Sequence, residues 1–297
     1  MNQRPAKKIT LRKAAYWLCF AILLCVFIYS AFRIGSYLVE SIQAKRLYQS
    51  LQEIADSSRP TRPPLPESSD PTASGETNPT EETTPDPLPT HPSYVTVIDP
   101  NTNEPIQLLP EYSTLYLKNT DFVGWLEVPG TVISYPVMQS PDNPNFYLRH
   151  NFAKDWDSHG CLYARETCDI FSPSDNITIY GHNKRDGTMF SDLEKYMDKQ
   201  FYEEHKYIYF DTIFQRHTYE IIAVFPTSAS VGVGFRYHAF ENAVSEEEFD
   251  EFVETCKDLS YYDISSTAEF GDKLITLSTC EYSQVNGRLV IVAKQIN

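Results

Sequence analysis

A thiol and a guanidinium close this chain at a spacing that suits covalent catalysis. Cys280 ends a strand-like run, and Arg288 opens another eight residues later. Residues Lys273 to Thr279 alternate, with Leu274, Thr276 and Ser278 on one face and Ile275, Leu277 and Thr279 on the other. The segment Glu281 to Gly287 is polar and turn-like, and Leu289-Val290-Ile291-Val292 reads as a buried partner strand. Such a hairpin sets both groups facing one pocket. Acyl transfer through a thioester is the leading chemistry that needs them together: the thiolate attacks a carbonyl carbon and the cation receives the developing negative charge.

A thiol attacks an amide well only as thiolate, so a proton acceptor is required. His182 follows the alternating run Asn176-Ile177-Thr178-Ile179-Tyr180 and a glycine, and precedes a loop-like stretch, Asn183 to Gly187. In that place it can take the thiol proton, or pair with the thiolate as imidazolium, and protonate the leaving amine. His91 lies in a proline-rich stretch, while His150, His159, His205, His217 and His238 lie in polar or strand settings. Arg288 is permanently charged and can donate two parallel hydrogen bonds to an oxyanion or to substrate carbonyls. The bland alternatives are a buried strand cysteine, a surface histidine and a strand-edge arginine.

The order of these motifs resembles the sortases, and within them class B. Thr276-Leu277-Ser278-Thr279-Cys280 followed by Arg288 matches the family's cysteine strand and arginine, and Gly181-His182 lies about a hundred residues upstream. Asp121-Phe122-Val123-Gly124-Trp125-Leu126 and Tyr135-Pro136-Val137-Met138-Gln139 are similar to the class B amino-terminal region. The resemblance runs from about Leu109 to the end. It implies Cys280 as nucleophile, His182 as acid and base, and Arg288 as electrophilic group. It also implies the backbone N–H of Glu281 as a second oxyanion donor, with Ser278 and Leu148 in the substrate pocket. The short cysteine-to-arginine loop bears on pocket shape. No residue presents itself as a third catalytic acid, and neither a metal nor an organic cofactor is called for.

The elements that must position these groups read as mostly β. Candidate strands are Val123–Val128, Ile133–Val137, Cys161–Ala164, Asn176–Tyr180, Lys206–Asp211, Thr218–Pro226, Lys273–Thr279 and Leu289–Lys294, with short helices near Leu109–Asn119, Met189–Met197 and Ser245–Asp258. Eight strands can remove their edges by closing, and the resemblance implies that outcome, an eight-stranded sortase-type β-barrel with short peripheral helices. The helix at Ser245 opens with a capping box, Ser245 to Glu248, and places Phe249, Phe252, Val253 and Cys256 at core spacing.

Upstream, Ala14 to Phe32 holds no charge, and Arg4, Lys7, Lys8, Arg12 and Lys13 precede it without an acid. About 20 apolar helical residues span a bilayer, and basic flanks stay cytoplasmic. Residues 1–13 are therefore expected as a cytoplasmic tail, 14–34 as a transmembrane anchor and 35–56 as a juxtamembrane helix. Ser30-Ala31-Phe32 makes a poor signal-peptide cleavage site. Residues 57–93 hold ten of the twenty prolines and read as an extended, disordered spacer, leaving 94–297 as the catalytic domain. The net charge of −15 makes nucleic acid a poor partner.

Two cysteines lie in the anchor, and Cys161 and Cys168 could pair in an exported domain without a clear signature for doing so. No CxxC or histidine-rich pair supports a metal site. Ser158-His159-Gly160-Cys161 resembles the core of the L,D-transpeptidases, but Arg165 comes too late for that pattern and no second His-Gly pair precedes it. The expected activity is that of a membrane-anchored cysteine transpeptidase. It would cleave a carboxy-terminal sorting signal on surface proteins and transfer them to a peptidoglycan-precursor or pilin amine outside a Gram-positive-type cell. The alternatives are an L,D-transpeptidase-like enzyme, a secreted thiol peptidase and a non-catalytic surface binding module.

Overall fold

The computed structural model describes residues 11–62, 93–230, 232–280 and 286–297. Most of the basic tail and residues 63–92 of the expected spacer lie outside those residues. Two compact units divide the chain, the first ending at Leu47 and the second running from Tyr48 to Asn297. Helix α1 (Leu11–Asp56) carries the apolar run, with Trp17, Leu23, Phe27 and Phe32 exposed along it. At about 1.5 Å per residue the run is long enough to cross a bilayer's hydrocarbon. The helix passes from the apolar run into residues 35–56 without a break.

In the second unit, β1 (Val95–Ile98) and β2 (Pro105–Leu108) form an antiparallel ribbon, and α2 (Pro110–Lys118) leads into the sheet. There follow β3 (Phe122–Glu127), β4 (Ser134–Met138), β5 (Leu162–Ala164), β6 (Asn176–Tyr180), β7 (Tyr207–Thr212), β8 (Thr218–Ser228), β9 (Leu274–Cys280) and β10 (Gly287–Gln295). These eight close a barrel in the order β10-β8-β7-β3-β4-β5-β6-β9. All eight expected strands are present, Asn176–Tyr180 unchanged and the others with ends moved by at most two residues. The pairs β4–β5 and β6–β9 are parallel, and the others are antiparallel.

Two elements differ from expectation. The β1–β2 ribbon escaped notice because its strands are four residues long and largely exposed. Its turn is built by Asp99, whose carboxylate accepts from the Asn101 N–H at 2.9 Å and the Thr102 hydroxyl at 3.1 Å. The helix expected over Met189–Met197 is a 3-10 turn, Ser191–Met197, followed by α3 (Lys199–Glu204). The Asp198 carboxylate accepts from Gln200 N–H and so starts a new helix where the old one would have continued.

Helix α4 (Glu246–Asp258) covers one side of the barrel. Phe249, Phe252, Val253 and Cys256 pack on Ile222, Phe225, Leu274, Val290 and Val292 of β8, β9 and β10. Burial of each large side chain stabilises by about 1.5–3 kcal/mol, which fixes the strands that end in the cysteine and begin with the arginine. The Ser245 hydroxyl accepts from Glu248 N–H, while the Glu248 carboxylate turns back to Val244 N–H, one residue beyond the usual reciprocal partner.

The start of the expected spacer is fastened to the barrel. Arg59 pairs with Glu127 at 3.2 Å, and Arg62 pairs at 2.7 Å with Asp211, a carboxylate with no solvent exposure that also accepts from the Tyr112 hydroxyl. The Arg62 guanidinium lies 3.9 Å from the centre of the Tyr209 ring.

Gly124 explains the glycine in the Asp121–Leu126 motif. A Cβ there would lie 2.2 Å from the Asp211 carbonyl oxygen on the neighbouring strand, which is backbone and has no rotamer to yield. Gly124→Ala should therefore cost about 2–3 kcal/mol by overpacking, read as a lower urea midpoint at unchanged m-value. A midpoint within error of wild type would show that β3 and β7 separate freely.

Candidate active site

Three strand ends converge at one end of the barrel. Cys280 closes β9, and Arg288 is its cross-strand partner on β10. Directly opposed residues of an antiparallel pair share a face, with Cα atoms about 4.5–5.5 Å apart. On the other side of β9, the parallel strand β6 sets Tyr180 beside Ser278. Two residues further along each strand stand His182 and Cys280.

Three hydrogen bonds hold that continuation beyond the last strand pair. Gly181 N–H donates to the Ser278 carbonyl at 3.2 Å, and the Thr279 hydroxyl donates to the Gly181 carbonyl at 2.8 Å. The Asn183 side-chain amide donates to the Cys280 carbonyl at 3.0 Å. His182 is thus bracketed on both sides by bonds to the cysteine strand. Gly181 has a packing reason as well: a Cβ there would meet Leu162 and Phe190 side-chain atoms at 2.5 and 2.6 Å.

The ring of His182 is fixed by a carbonyl. Its Nε2 lies 2.8 Å from the Leu148 oxygen, which can only accept, so Nε2 carries a proton and the neutral ring keeps its lone pair on Nδ1. Burial lowers the His182 pKa below its ordinary value; the Leu148 carbonyl opposes that, and Arg149, Lys184 and His159 reinforce it. A neutral imidazole at physiological pH is a proton acceptor.

Arg288 rests its Nη1 on the carbonyls of Gly287 at 2.9 Å and Asn286 at 3.4 Å. The phenols of Tyr163 and Tyr237 feel both Cys280 and Arg288 electrostatically, and burial raises the pKa of each. They stay neutral in the neighbourhood of the thiol and the guanidinium. Ser278, on the same face as Cys280, meets the Tyr237 hydroxyl at 2.6 Å and is buried. The structure thus brings Cys280, His182, Arg288, Ser278 and the Leu148 carbonyl together. Glu281 lies outside the described residues. The sequence reading missed Tyr163, Tyr237 and Asn183, because their place depends on strand register and on the segment between β8 and α4.

The other thiols are differently placed. Cys161 is 1% exposed, its sulfur lies 3.2 Å from the Tyr48 hydroxyl, and burial pushes its pKa up to about 12. Cys168 is buried with its pKa raised to about 11, and the two are separate thiols. A thiol held protonated in the core is a poor nucleophile, so the Ser-His-Gly-Cys motif does not offer a second reactive centre.

The family model described as Sortase domain matches residues 126–296, which span every barrel strand from the end of β3 to β10. The chain belongs to the sortase family. Sortase B of Staphylococcus aureus is 31% identical over 189 residues, covering 63% of this chain and 75% of that protein. Sortase B of Listeria monocytogenes is 34% identical over 190 residues, covering 63% and 74%. These relatives set it in class B. The structure of a Staphylococcus aureus sortase B–substrate complex matches with a TM-score of 0.59 at 30% identity, over 64% of this chain and 86% of that one. Sortase B from Bacillus anthracis matches with a TM-score of 0.63 over 88% and 99%; at 23% identity that likeness speaks to the barrel alone. Sortase membership makes this chain a cysteine transpeptidase by family.

Proposed function

We propose that this sortase is anchored by α1 with its amino terminus in the cytoplasm, and that Cys280, His182 and Arg288 carry its reaction on a carboxy-terminal sorting signal. The observation that supports this best is the register that makes Arg288 the direct partner of Cys280 while β6 delivers His182 to the other side. Cys280 Sγ attacks the carbonyl carbon of the scissile bond, a Thr–Gly or similar linkage, and its proton passes to His182 Nδ1. The tetrahedral oxyanion is received by Arg288, with the Glu281 N–H as a second donor. The intermediate collapses by expelling the amine of the leaving fragment, to which the imidazolium returns its proton. A thioester remains. An amine on a peptidoglycan precursor or a pilin then attacks it, its proton goes to His182, and the thiol is regenerated.

Anchoring raises the local concentration of substrates and acceptors that also sit in the membrane. The residues that build the site call for no metal or organic cofactor. Ser278 and Leu148 contribute to the substrate pocket, Ser278 through its bond to Tyr237 and Leu148 through the carbonyl that fixes His182. Residues 94–297 would form the catalytic domain, together with the contacts from Tyr48, Arg59 and Arg62. Residues 63–92, with their proline-rich sequence, would act as the spacer.

The test is turnover of sorting-signal peptides by the full chain in detergent, with and without an amine acceptor, as a function of pH. Amine-linked product should form and should exceed hydrolysis when acceptor is present. Because His182 is depressed below 6.5, its acid limb should fall below that value. Hydrolysis unaffected by any amine would favour a thiol peptidase, and absence of both turnover and a cysteine adduct would favour a binding module.

A further inference from the structure

His159 has no solvent exposure, and each of its ring nitrogens faces a carboxylate. Nδ1 lies 3.1 Å from Asp157 Oδ1, and Nε2 lies 2.9 Å from Asp186 Oδ2. A neutral ring can donate from only one nitrogen, and the other would then point a lone pair at a carboxylate oxygen. Both contacts are favourable only when the ring carries two protons.

The two carboxylates belong to different pieces of the site. Asp186 lies at the tip of the hairpin that follows His182. That hairpin closes through Phe190 N–H donating to the His182 carbonyl at 2.9 Å and through an Asn183–Met189 bridge. The other oxygen of Asp186 accepts from the Thr188 N–H at 3.2 Å and hydroxyl at 2.6 Å, so the tip is itself braced. Asp157 and His159 lie on a turn packed on residues 147–149: Asp157 N–H donates to the Arg149 carbonyl at 2.8 Å, and Cys161 N–H to the Tyr147 carbonyl at 2.9 Å. Gly160 approaches so closely that a Cβ would stand 2.7 Å from the Leu148 oxygen, and its φ of +60° also favours glycine. That Leu148 oxygen is the acceptor for His182 Nε2–H.

We propose that His159, held as an imidazolium between Asp157 and Asp186, is a positioning residue that ties the hairpin carrying His182 to the turn that supports its hydrogen-bond acceptor. The inference rests on the catalytic role given to His182 above. His159 touches no reacting atom; it acts by keeping the His182 ring in register, where a displacement of about 1 Å can lower a rate by about a hundredfold.

The surrounding groups support the charged form on balance. Burial opposes it and Lys184, whose Nζ donates to the Ser158 carbonyl at 3.1 Å, opposes it too; the hydrogen bonds to Asp157 and Asp186 prevail and the pKa is raised. Tyr48 and Cys161 beside the turn stay protonated, because burial raises both. His182 on the hairpin is depressed and neutral. A raised histidine stabilises the fold fully below its unfolded value of about 6.5, and that contribution fades as pH climbs through the folded value. The tie should therefore loosen on the alkaline side.

The experiment uses the full chain in detergent with ¹⁵N-labelled histidine, as wild type, Asp186→Asn, Asp186→Glu and His159→Gln. At pH 7 both nitrogens of wild-type His159 should be protonated, and His182 Nε2–H should give a protected signal. Asp186→Asn should leave His159 with one ring proton, broaden the His182 signal, lower kcat about 10-fold or more with KM little changed, and move the alkaline limb down by about one pH unit. Asp186→Glu should restore part of each. A singly protonated wild-type His159, an unchanged His182 signal in Asp186→Asn, or a rate profile that falls without shifting would overturn the proposal. Should His159→Gln not fold, Asp186→Asn carries the same comparison. Wild-type chain that turns over no peptide would fail the functional reading instead, and the histidine spectra would still decide the tie.

Discussion

Cys280→Ala should abolish amine-linked product, lowering kcat/KM by about 10⁴-fold or more, because the proposed reaction runs through a thioester on this thiol. Cys161→Ala in the same assay should keep activity within about twofold of wild type while lowering stability by about 1–2 kcal/mol. The contrast follows from placement. Cys280 ends a strand beside a guanidinium and a neutral imidazole, whereas Cys161 is buried against Tyr48 with its proton held to about pH 12. Intact-mass measurement after mixing with a sorting-signal peptide reads the same distinction directly. Wild type and Cys161→Ala should gain the mass of the acyl fragment, and Cys280→Ala should gain nothing. Turnover that survives Cys280→Ala and vanishes in Cys161→Ala would move the chemistry to the Ser-His-Gly-Cys turn and sink the assignment made here.

That turn also shows how far the sequence carries. The strands were legible because β6, β9 and β10 are dense in β-branched residues and are each bounded on one side by a glycine or a cysteine, so the pattern announced both the element and a boundary. The pattern put Cys280, His182 and Arg288 at strand ends, and it was the order of their motifs, resembling that of the sortases, that let them be named before any coordinates. Tyr163 and Tyr237 could not be, since a tyrosine beside the site looks like any of the other tyrosines until β5 is registered against β6. His159 drew notice for the wrong reason. Its neighbours Gly160 and Cys161 suggested a nucleophile motif, but the partner that gives the histidine its place is Asp186, twenty-seven residues away on a loop whose course no local pattern fixes. Arg59 and Arg62 were likewise hidden in a proline-rich composition, because composition averages over the residues that dock. Gly124 was visible as a letter in a motif, while its cause, a carbonyl on β7, belongs to tertiary structure.

Arg288 offers the sharpest division between transition-state and ground-state roles. Its pairing with Cys280 puts the guanidinium on the face where the tetrahedral oxygen would form, and among the described residues only Nη1 is engaged, by the carbonyls of Asn286 and Gly287. Removing one donor of a developing oxyanion typically lowers kcat by about 10²–10³-fold, or about 2.7–4 kcal/mol. Arg288→Ala should therefore reduce the rate of thioester formation by that factor with KM within about threefold, as measured by single-turnover mixing and quenched mass spectrometry. Arg288→Lys should recover little, since an ammonium keeps the charge but lacks the planar fork that can hold two acceptors at once. A different role predicts a different split. If the guanidinium only gripped substrate carbonyls in the bound state, KM would rise while the single-turnover rate at saturation stayed near wild type, and lysine would substitute in part. Resolution of a preformed thioester by amine passes through a second tetrahedral oxyanion at the same carbon. An oxyanion donor must therefore slow acylation and deacylation alike, whereas a substrate clamp acting on the departed fragment would touch the first step through KM alone and leave deacylation unchanged.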